Sequence, residues 1–382
     1  MKPKKMVDAL HQRIVEARES AGFSITGAAQ KLGFKNYQTL SSIEKGARNI
    51  TAGELIEIAR LYDRSLDYFF EPTVTPEPVP LWRKIETRGV TKEQRLFLSF
   101  LERYSTLEKL LGLKQSWREI RSPFGRDDFA SDGFAMAEKL GAHIHKILDL
   151  GSRPASNLLN VLENKLRFKI LHLPLENGLS GASIVDNALG VGILINLNDA
   201  PWRRSFDLAH ELFHIITWDV FSLKEIGDGT KKTKPEQYAD IFASSLLLPK
   251  IHLMEALKEI ILNGEIKKVD LIEIARDFGV STEAILWRLV NLKKLKTAQV
   301  KKILGDPKFR GLDRTIRRGL HEKFEPSKFP ARYISLACRC LMEGKISRGT
   351  FAEYLEIDRA EVDEYLAEAG FVEENYEKIA AA

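Results

Sequence analysis

The 382-residue sequence predicts an α+β fold that is mainly helical. Apolar residues recur with the period of an α-helix through most of the chain, which indicates amphipathic helices. Three short apolar runs between residues 167 and 199 are separated by turn residues, which predicts a short sheet. A chain of this length exceeds one ordinary core. We therefore expect an N-terminal helical bundle, a small domain with a short sheet, and a C-terminal helical region.

Composition excludes several classes of protein. Hydrophobic residues make up 44% and charged residues 29%, which is typical of globular proteins. No run of about eighteen apolar residues and no secretory-type leader is present, so we expect a cytoplasmic protein without a membrane span. The two cysteines, Cys338 and Cys340, cannot form a disulfide framework, which fits a reducing compartment.

A proline-rich stretch marks the first domain boundary. EPTVTPEPVP, residues 71–80, contains four prolines, and proline lacks the donor that a helix or strand interior needs. We predict an extended linker there. The predicted division of the chain is a bundle at 1–70, the linker at 71–80, a central domain at 81–250, a helical segment resembling a helix-turn-helix at 251–300, and a C-terminal helical domain at 301–382.

Helix signals are clear in the N-terminal bundle. Ser24 can cap a short helix that Gly33 ends. Thr51 and Glu54 have the spacing of a capping box that opens another helix. In the central domain we predict strands in RFKILHLPL, SGASIVDN and GVGILINLND, followed by a helix from about Pro201. A further helix, PEQYADIFASSLLLPK, has Pro235 in its first turn and Pro249 as its stop.

The segment FDLAHELFHIITWD contains the pattern His-Glu-x-x-His. Helical positions i and i+4 share a face, so His210 and His214 can offer two imidazole nitrogens to one metal ion. Glu211 lies beside that face, where it can take a proton from an attacking water and later deliver it to a leaving amine. The alternative is an ordinary buried helix with a satisfied histidine pair.

A third ligand is offered by Glu236, at the start of the next predicted helix. A catalytic zinc site uses three protein ligands and one open position, and two histidines with one glutamate form a known set. Asp240 shares the face of Glu236 and could accept a hydrogen bond from a histidine ligand, which would fix its tautomer. Zinc is the expected cofactor, although the same ligands accept manganese or iron. The alternative reading leaves Glu236 solvated.

RRSFDLAHELFHII followed by EQYADIFASSLLLP resembles the ImmA/IrrE family of metallo-endopeptidases, which are compact zincins of the gluzincin kind. The resemblance implies that His210, His214 and Glu236 are metal ligands and that Glu211 is the general acid and base. Arg203 matches the first arginine of the family's usual lead-in, whereas Ser205 and Asp207 depart from it. These departures affect local substrate contacts. Arg203 and Tyr238 are our candidates for stabilising the oxyanion.

Residues 10–70 resemble the Xre/Cro-type helix-turn-helix, whose second helix enters the DNA major groove. The resemblance places a set of polar residues at base edges, and cations near phosphates. The base-edge candidates are Asn36, Tyr37, Gln38, Thr39 and Ser42, and the phosphate candidates are Lys31, Lys35, Lys45 and Arg48. The same fold also serves protein interaction, so a module that docks a similar domain is the alternative.

A basic zone covers residues 288–318, with eleven lysines and arginines against two aspartates. Such a zone could follow a nucleic-acid backbone, and the alternative is a solvated helical face. Trp287, beside this zone, is expected in the core.

Together these features predict a zinc-dependent endopeptidase with a DNA-binding domain. By resemblance, its substrate is a transcriptional repressor or another Xre-type protein, cleaved in a regulated stress or phage response. One alternative is a DNA-binding regulator whose zincin-like domain senses a ligand or partner without cleaving. Another is self-cleavage in the linker. Xre-type readers usually dimerise, which also makes a homodimer an expectation.

Overall fold

The structure is a computed structural model that describes residues 3–62, 64, 66, 69, 81–82, 92–113, 120–175, 180–186, 188–226, 232–260, 266–321 and 327–371. The chain divides into two compact units, Met1–Pro78 with Ile85–Arg103, and Val79–Lys84 with Tyr104–Ala382. The predicted linker at 71–80 lies outside the described residues.

The N-terminal unit consists of α1 (Pro3–Ser20), α2 (Ile25–Lys31), α3 (Tyr37–Glu44), α4 (Ala52–Leu61) and the first part of α5 (Lys92–Leu110). Two predicted caps are confirmed. The side chain of Ser24 accepts the Gly27 amide at the start of α2, and Thr51 and Glu54 form a capping box on α4. The apolar faces of α1–α4 meet in one core that includes Ile14, Ala28, Leu40, Ile43 and Ile58.

The larger unit contains a small mixed sheet. Its strands are β1 (Leu81–Trp82), β2 (Lys169–Leu173), β3 (Gly181–Asp186) and β4 (Gly190–Asn196), in the order β1-β3-β4-β2. β2 and β4 are parallel, whereas β3 is antiparallel to both of its neighbours. Leu81 stands opposite Ser183 in the β1–β3 pair. Strands β2, β3 and β4 lie in the three predicted segments, so that prediction is confirmed.

Helices before and after the sheet complete this unit. Those before it are α6 (Arg126–Leu148) and α7 (Pro154–Asn160), which continues into a π-helical turn (Val161–Lys165). Those after it are α8 (Pro201–Ile216), α9 (Leu223–Ile226), α10 (Lys234–Leu247), α11 (Lys250–Ile260), α12 (Lys268–Asp277), α13 (Thr282–Asn291), α14 (Thr297–Gly305), α15 (Pro307–His321), α16 (Ala331–Met342), α17 (Arg348–Leu355), a 3-10 turn (Arg359–Glu361) and α18 (Val362–Glu368).

Close packing connects the helices that carry the candidate site. α8 lies on β3 and β4, and α10 packs between α8 and α6. A side chain on Gly141 of α6 would come within 2.7 Å of the Phe242 carbonyl oxygen on α10, so glycine permits this close approach. The pair α8 and α10 is therefore held in a fixed relation by a buried core.

The domain division predicted at residue 250 does not match the edge of that core. Leu246 of α10, Leu253 of α11 and Leu286 of α13 belong to the same buried cluster. The hydrophobic faces of α11–α13 pack in part against α10, so the buried core continues past residue 250. Residues 92–103, predicted with the central domain, belong to the N-terminal unit.

The face of β2 opposite α8 carries a buried group of charges. Lys169 is fully buried, and its Nζ lies 3.0 Å from Glu108 Oε2 on α5. Arg332 of α16 contacts Oε1 of the same glutamate at 2.8 Å. These ion pairs attach α16 to the sheet and to the last turns of α5. Burial raises the pKa of nearby Glu163 to about 7, and the positive charge of Arg332 opposes part of that rise.

The predicted class, α+β and mainly helical, is confirmed. Among the described helices, none is both long and apolar enough to cross a membrane. Cys338 and Cys340 are free thiols, and both are buried on α16.

Candidate metal centre

Helix α8 presents the two histidines of the His-Glu-x-x-His pattern on one buried face. Proline occupies its first turn, where a missing amide donor costs nothing, and its last ten residues are all buried. His210 and His214 are one turn apart, and their Nε2 atoms are 3.1 Å from each other. The side chains are 3% and 2% exposed, so both rings are withdrawn from solvent.

Helix α10 brings Glu236 to the same point. Thr233 caps this helix by accepting the Glu236 amide, and proline follows in the first turn, as predicted. Glu236 Oε1 lies 3.0 Å from His214 Nε2, and Oε2 lies 3.4 Å from His210 Nε2. Three potential ligands from two helices thus converge, although 22 residues separate Glu236 from His214 along the chain.

The donor set fits a divalent metal. Bonds of about 2.0–2.1 Å in a tetrahedral zinc site place neighbouring ligand atoms about 3.3 Å apart. The observed separations of 3.0, 3.1 and 3.4 Å are close to that value. Two imidazoles and one carboxylate also suit zinc chemically, and they accept manganese or iron.

Asp240 orients one of the two histidines. Its Oδ1 lies 2.9 Å from His210 Nδ1, so Nδ1 donates this hydrogen bond and Nε2 keeps its lone pair for a ligand interaction. Burial opposes ionisation of Asp240, but His210 and Lys232 hold its pKa lower, at about 2. The carboxylate that supports His210 is therefore ionised at neutral pH.

The protonation states of the cluster also suit metal binding. Burial is the main cause of a lowered pKa at His214, although the hydrogen bond to Glu236 opposes it. Burial raises the pKa of Glu236, but the hydrogen bonds with His210 and His214 outweigh it and hold the pKa far below its usual range. A neutral imidazole and an ionised carboxylate are the forms that coordinate a metal.

Glu211 lies between α8 and β3. Its Oε2 accepts a hydrogen bond of 2.8 Å from the hydroxyl of Ser183, and the glutamate is fully buried. A side chain on Gly181 would stand 3.5 Å from Glu211 Cγ and 2.9 Å from the Leu194 carbonyl oxygen, so β3 approaches closely here. Ser183 was not among the predicted site residues, because no spacing links a strand residue to a motif 28 positions later.

The two oxyanion candidates are placed differently from Glu211. The Arg203 guanidinium donates to Asp207 at 3.0 Å and to Ser180 at 3.2 Å, and it connects the start of α8 to the start of β3. Tyr238 is two residues after Glu236, which directs it to the other side of α10. Its ring packs against Phe129 and Phe134, and its hydroxyl lies beside Gly133. The position of Tyr238 therefore contradicts an oxyanion role.

Most of the candidate DNA-binding residues lie just before, within or just after α3. Asn36 is the N-cap, and its side chain accepts the Thr39 amide, so this side chain has a structural role. Lys35, Tyr37, Gln38 and Lys45 are exposed, whereas Thr39 and Ser42 are half-buried. Arg48 forms an ion pair of 2.8 Å with Glu54, which satisfies part of its charge within the protein.

One residue of the predicted basic zone is not on the surface. Arg288 is 1% exposed, and it donates to the Leu248 carbonyl oxygen at 3.0 Å and to Glu138 at 2.5 Å. It is therefore a core residue, and its inclusion among nucleic-acid contacts was wrong. Other cations of the zone are exposed, among them Lys293, Lys294, Lys296, Lys301, Lys302, Lys308, Arg310 and Arg314. Trp287 packs against the core, as expected.

Comparison with protein families agrees with both parts of this description. Residues 164–290 match the family model of the IrrE N-terminal-like domain of peptidase family M78, and residues 14–69 match that of a helix-turn-helix domain. No curated protein matches the chain. The resemblance derived from the sequence is therefore confirmed: the chain joins an N-terminal Xre-type helix-turn-helix domain to an IrrE-like M78 peptidase-family domain. The matched region includes every member of the histidine and glutamate cluster.

Proposed function

We propose that this protein is a zinc-dependent endopeptidase whose N-terminal domain binds DNA. The observation that carries the proposal is the convergence of His210, His214 and Glu236 within a peptidase-family domain, with Glu211 directly beside them. The three residues would hold the metal. When bound, it would supply a Lewis acid that polarises a peptide carbonyl and acidifies water.

Glu211 is the proposed general acid and base. Its buried carboxylate accepts the proton of the attacking water and delivers it to the amine that leaves. Ser183 holds one carboxylate oxygen through the 2.8 Å hydrogen bond and so fixes the direction of the other. Asp240 keeps His210 in the tautomer that presents Nε2 to the ligand position. Arg203 remains a candidate oxyanion donor, although its present contacts are Asp207 and Ser180.

The proposed substrate is a protein, either a transcriptional repressor or another Xre-type partner, cleaved under a stress or phage signal in the cytoplasm. The helix-turn-helix domain supports this proposal, because it would bring the enzyme to DNA where such repressors act. Exposed Tyr37 and Gln38 at the start of α3 are the proposed base-reading residues, and Lys35, Lys45 and Arg48 are the proposed phosphate contacts. A homodimer on DNA is also proposed.

A Glu211→Gln variant tests this function. The amide preserves the size of the side chain but cannot accept the proton, so cleavage should be lost while metal content and fold remain. Wild type and variant would be incubated with the Xre-type proteins encoded beside the gene, and the products identified by mass spectrometry. If the variant matches wild type in every cellular assay of the pathway, the protein is instead a non-cleaving regulator.

A second candidate, self-cleavage near the linker, is favoured by one observation. Residues 81–82, directly after the proline-rich stretch, pair with β3, and Leu81 stands opposite the serine that contacts Glu211. Extended peptides bind to sheets by adding a strand in this way. Incubation of the purified full chain with zinc or manganese, with and without nucleic acid, tests it. Two fragments that meet near residue 80 would support self-cleavage, and an intact chain would contradict it.

A further inference from the structure

A cavity of about 440 Å³ lies between α7, the first two turns of α8 and the connection between α12 and α13. Pockets that enclose small organic molecules have volumes of about 300–1,000 Å³. Most of the wall is apolar and comes from Ala155, Leu159, Ile195, Leu208, Phe278 and Val280. The cavity is therefore large enough for a compact ring system, and its walls suit one.

The cavity is separate from the candidate metal centre. Both use α8, but Leu208 and Ser205 line the cavity, whereas His210 and His214 carry the metal cluster. At about 100° of rotation per residue, these two pairs lie on different sides of the helix. None of the residues that line the cavity belongs to the metal cluster. A molecule bound here would contact the face of α8 that points away from His210 and His214.

A histidine faces the cavity with unused hydrogen-bonding capacity. His172 of β2 lines the wall and is only 7% exposed. Its ring nitrogens form no hydrogen bond with any residue in the described parts of the chain. Burial, helped by the charge of Arg204, lowers its pKa to about 4, so the ring is neutral and offers one donor and one acceptor. A buried polar group of this kind normally has a partner.

The charge around the cavity is predominantly positive. Arg153, Arg204 and Arg276 line it, together with a single acid, Asp277. Arg153 Nε donates to Asp277 at 2.8 Å, and the guanidinium lies 4.1 Å from the centre of the Phe278 ring. This pair balances one positive charge against the acid. Arg276 is exposed, and Arg204 is half-buried and donates to the Leu197 carbonyl oxygen at 3.0 Å. The lining therefore carries three arginines and one aspartate.

We propose that this cavity binds a small organic anion with a flat apolar body. The body lies against Leu159, Leu208 and Phe278, and the anionic group faces Arg204 and Arg276. The imidazole of His172 forms a hydrogen bond to a polar atom of the ligand. Because the walls include the start of α8, the ligand would act as an effector of the domain. Binding itself does not depend on the proposed peptidase activity.

Calorimetric titration of the full chain with 1-naphthylacetate and with its neutral amide, 1-naphthylacetamide, tests the proposal. The two probes share the ring and differ in the charge. We expect the carboxylate to bind to a single site, and the amide to bind at least tenfold more weakly. Undetectable binding of the carboxylate, or equal affinity for both probes, would overturn the proposed ligand class.

Four variants locate the site, and a fifth variant serves as the control. Ser156→Trp places a large ring at the opening from an exposed position and should abolish binding of both probes. Arg276→Glu should weaken the carboxylate about tenfold and leave the amide unchanged. His172→Leu should weaken both probes, and His172→Gln should restore part of the affinity. Arg310→Glu, at an exposed position of α15, is the matched charge control and should bind like wild type. Normal binding by Ser156→Trp would place the probe elsewhere and refute the proposal.

Discussion

His210 Nδ1 and Asp240 Oδ1 lie 2.9 Å apart, and this hydrogen bond connects α8 to α10 directly behind the candidate metal ligands. His214 has no equivalent support, because its Nδ1 is buried without a hydrogen-bond partner among the described residues. Asp240 is therefore the carboxylate that orients the Nδ1 side of the His210 ring, and His214 has no counterpart to it.

Asp240→Asn should weaken metal binding. The amide is a poorer acceptor for the Nδ1 proton, and loss of such a supporting carboxylate typically costs about 10- to 100-fold in metal affinity. Competition with a zinc chelator would measure the change. Asp219→Asn, at an exposed aspartate that pairs with Arg121, is the control and should leave the affinity unchanged. Equal metal affinity in both variants would show that Asp240 does not support the metal ligands.

Ser183→Ala should slow cleavage without loss of metal. The hydroxyl donates a 2.8 Å hydrogen bond to the Glu211 carboxylate, and hydrogen bonds to charged groups contribute about 1.5–3 kcal/mol. We expect a fall in kcat of roughly tenfold or more. Ser245→Ala removes another buried hydroxyl, one that donates to the Glu138 carbonyl oxygen, and it serves as the control. Unchanged kcat in Ser183→Ala would show that this contact does not position Glu211.

The pH dependence of stability should change in Glu163→Gln. Burial raises the pKa of Glu163 to about 7, above the ordinary value of 4.5. The folded chain therefore holds this proton more tightly than the unfolded chain. That stabilisation is complete below about pH 4.5 and is lost as the pH rises through 7, by about 3 kcal/mol in total.

Urea unfolding at pH 5 and pH 8 measures this effect. The free energy of unfolding of wild type should fall between these pH values relative to that of Glu163→Gln, since glutamine does not titrate. Glu364→Gln, at an exposed position on α18, should follow wild type. Parallel curves for wild type and Glu163→Gln would contradict the prediction.

Two substitutions on the helix-turn-helix domain should have different effects on DNA binding. Gln38→Ala removes an exposed base-reading candidate and should cost about 1–3 kcal/mol on a selected operator, with relaxed preference at one position. Lys45→Ala should weaken binding to all sequences and reduce the slope of log affinity against log salt by about one. If neither variant differs from wild type, the domain serves protein interaction.

Local signals in the sequence predicted the elements well. The caps at Ser24 and Thr51 and the proline in the first turn of α10 depend on residues a few positions apart, and all three are present. The shared face of His210 and His214 follows from helical geometry alone. Glu236, at the start of the next predicted helix, was the candidate third ligand, the family resemblance implied the same role, and the structure places it beside the two histidines.

Features that depend on tertiary packing could not be predicted in this way. Ser183 meets Glu211 only because β3 crosses α8 at that point. Arg288 has the composition of a surface cation, yet it lies in the core because Glu138 and the Leu248 carbonyl oxygen accept its hydrogen bonds. The direction of Tyr238 likewise depends on the aromatic cluster contributed by α6.

Elemental analysis of the purified protein tests the central claim most directly. After loading with zinc and removal of the excess, mass spectrometry of the metal content should find a single equivalent in wild type and in Glu211→Gln. His214→Asn and Glu236→Ala should retain little or none, whereas His143→Asn, at an exposed histidine of α6, should match wild type. A wild-type protein without metal, or full retention in both ligand variants, would contradict a metal centre formed by His210, His214 and Glu236.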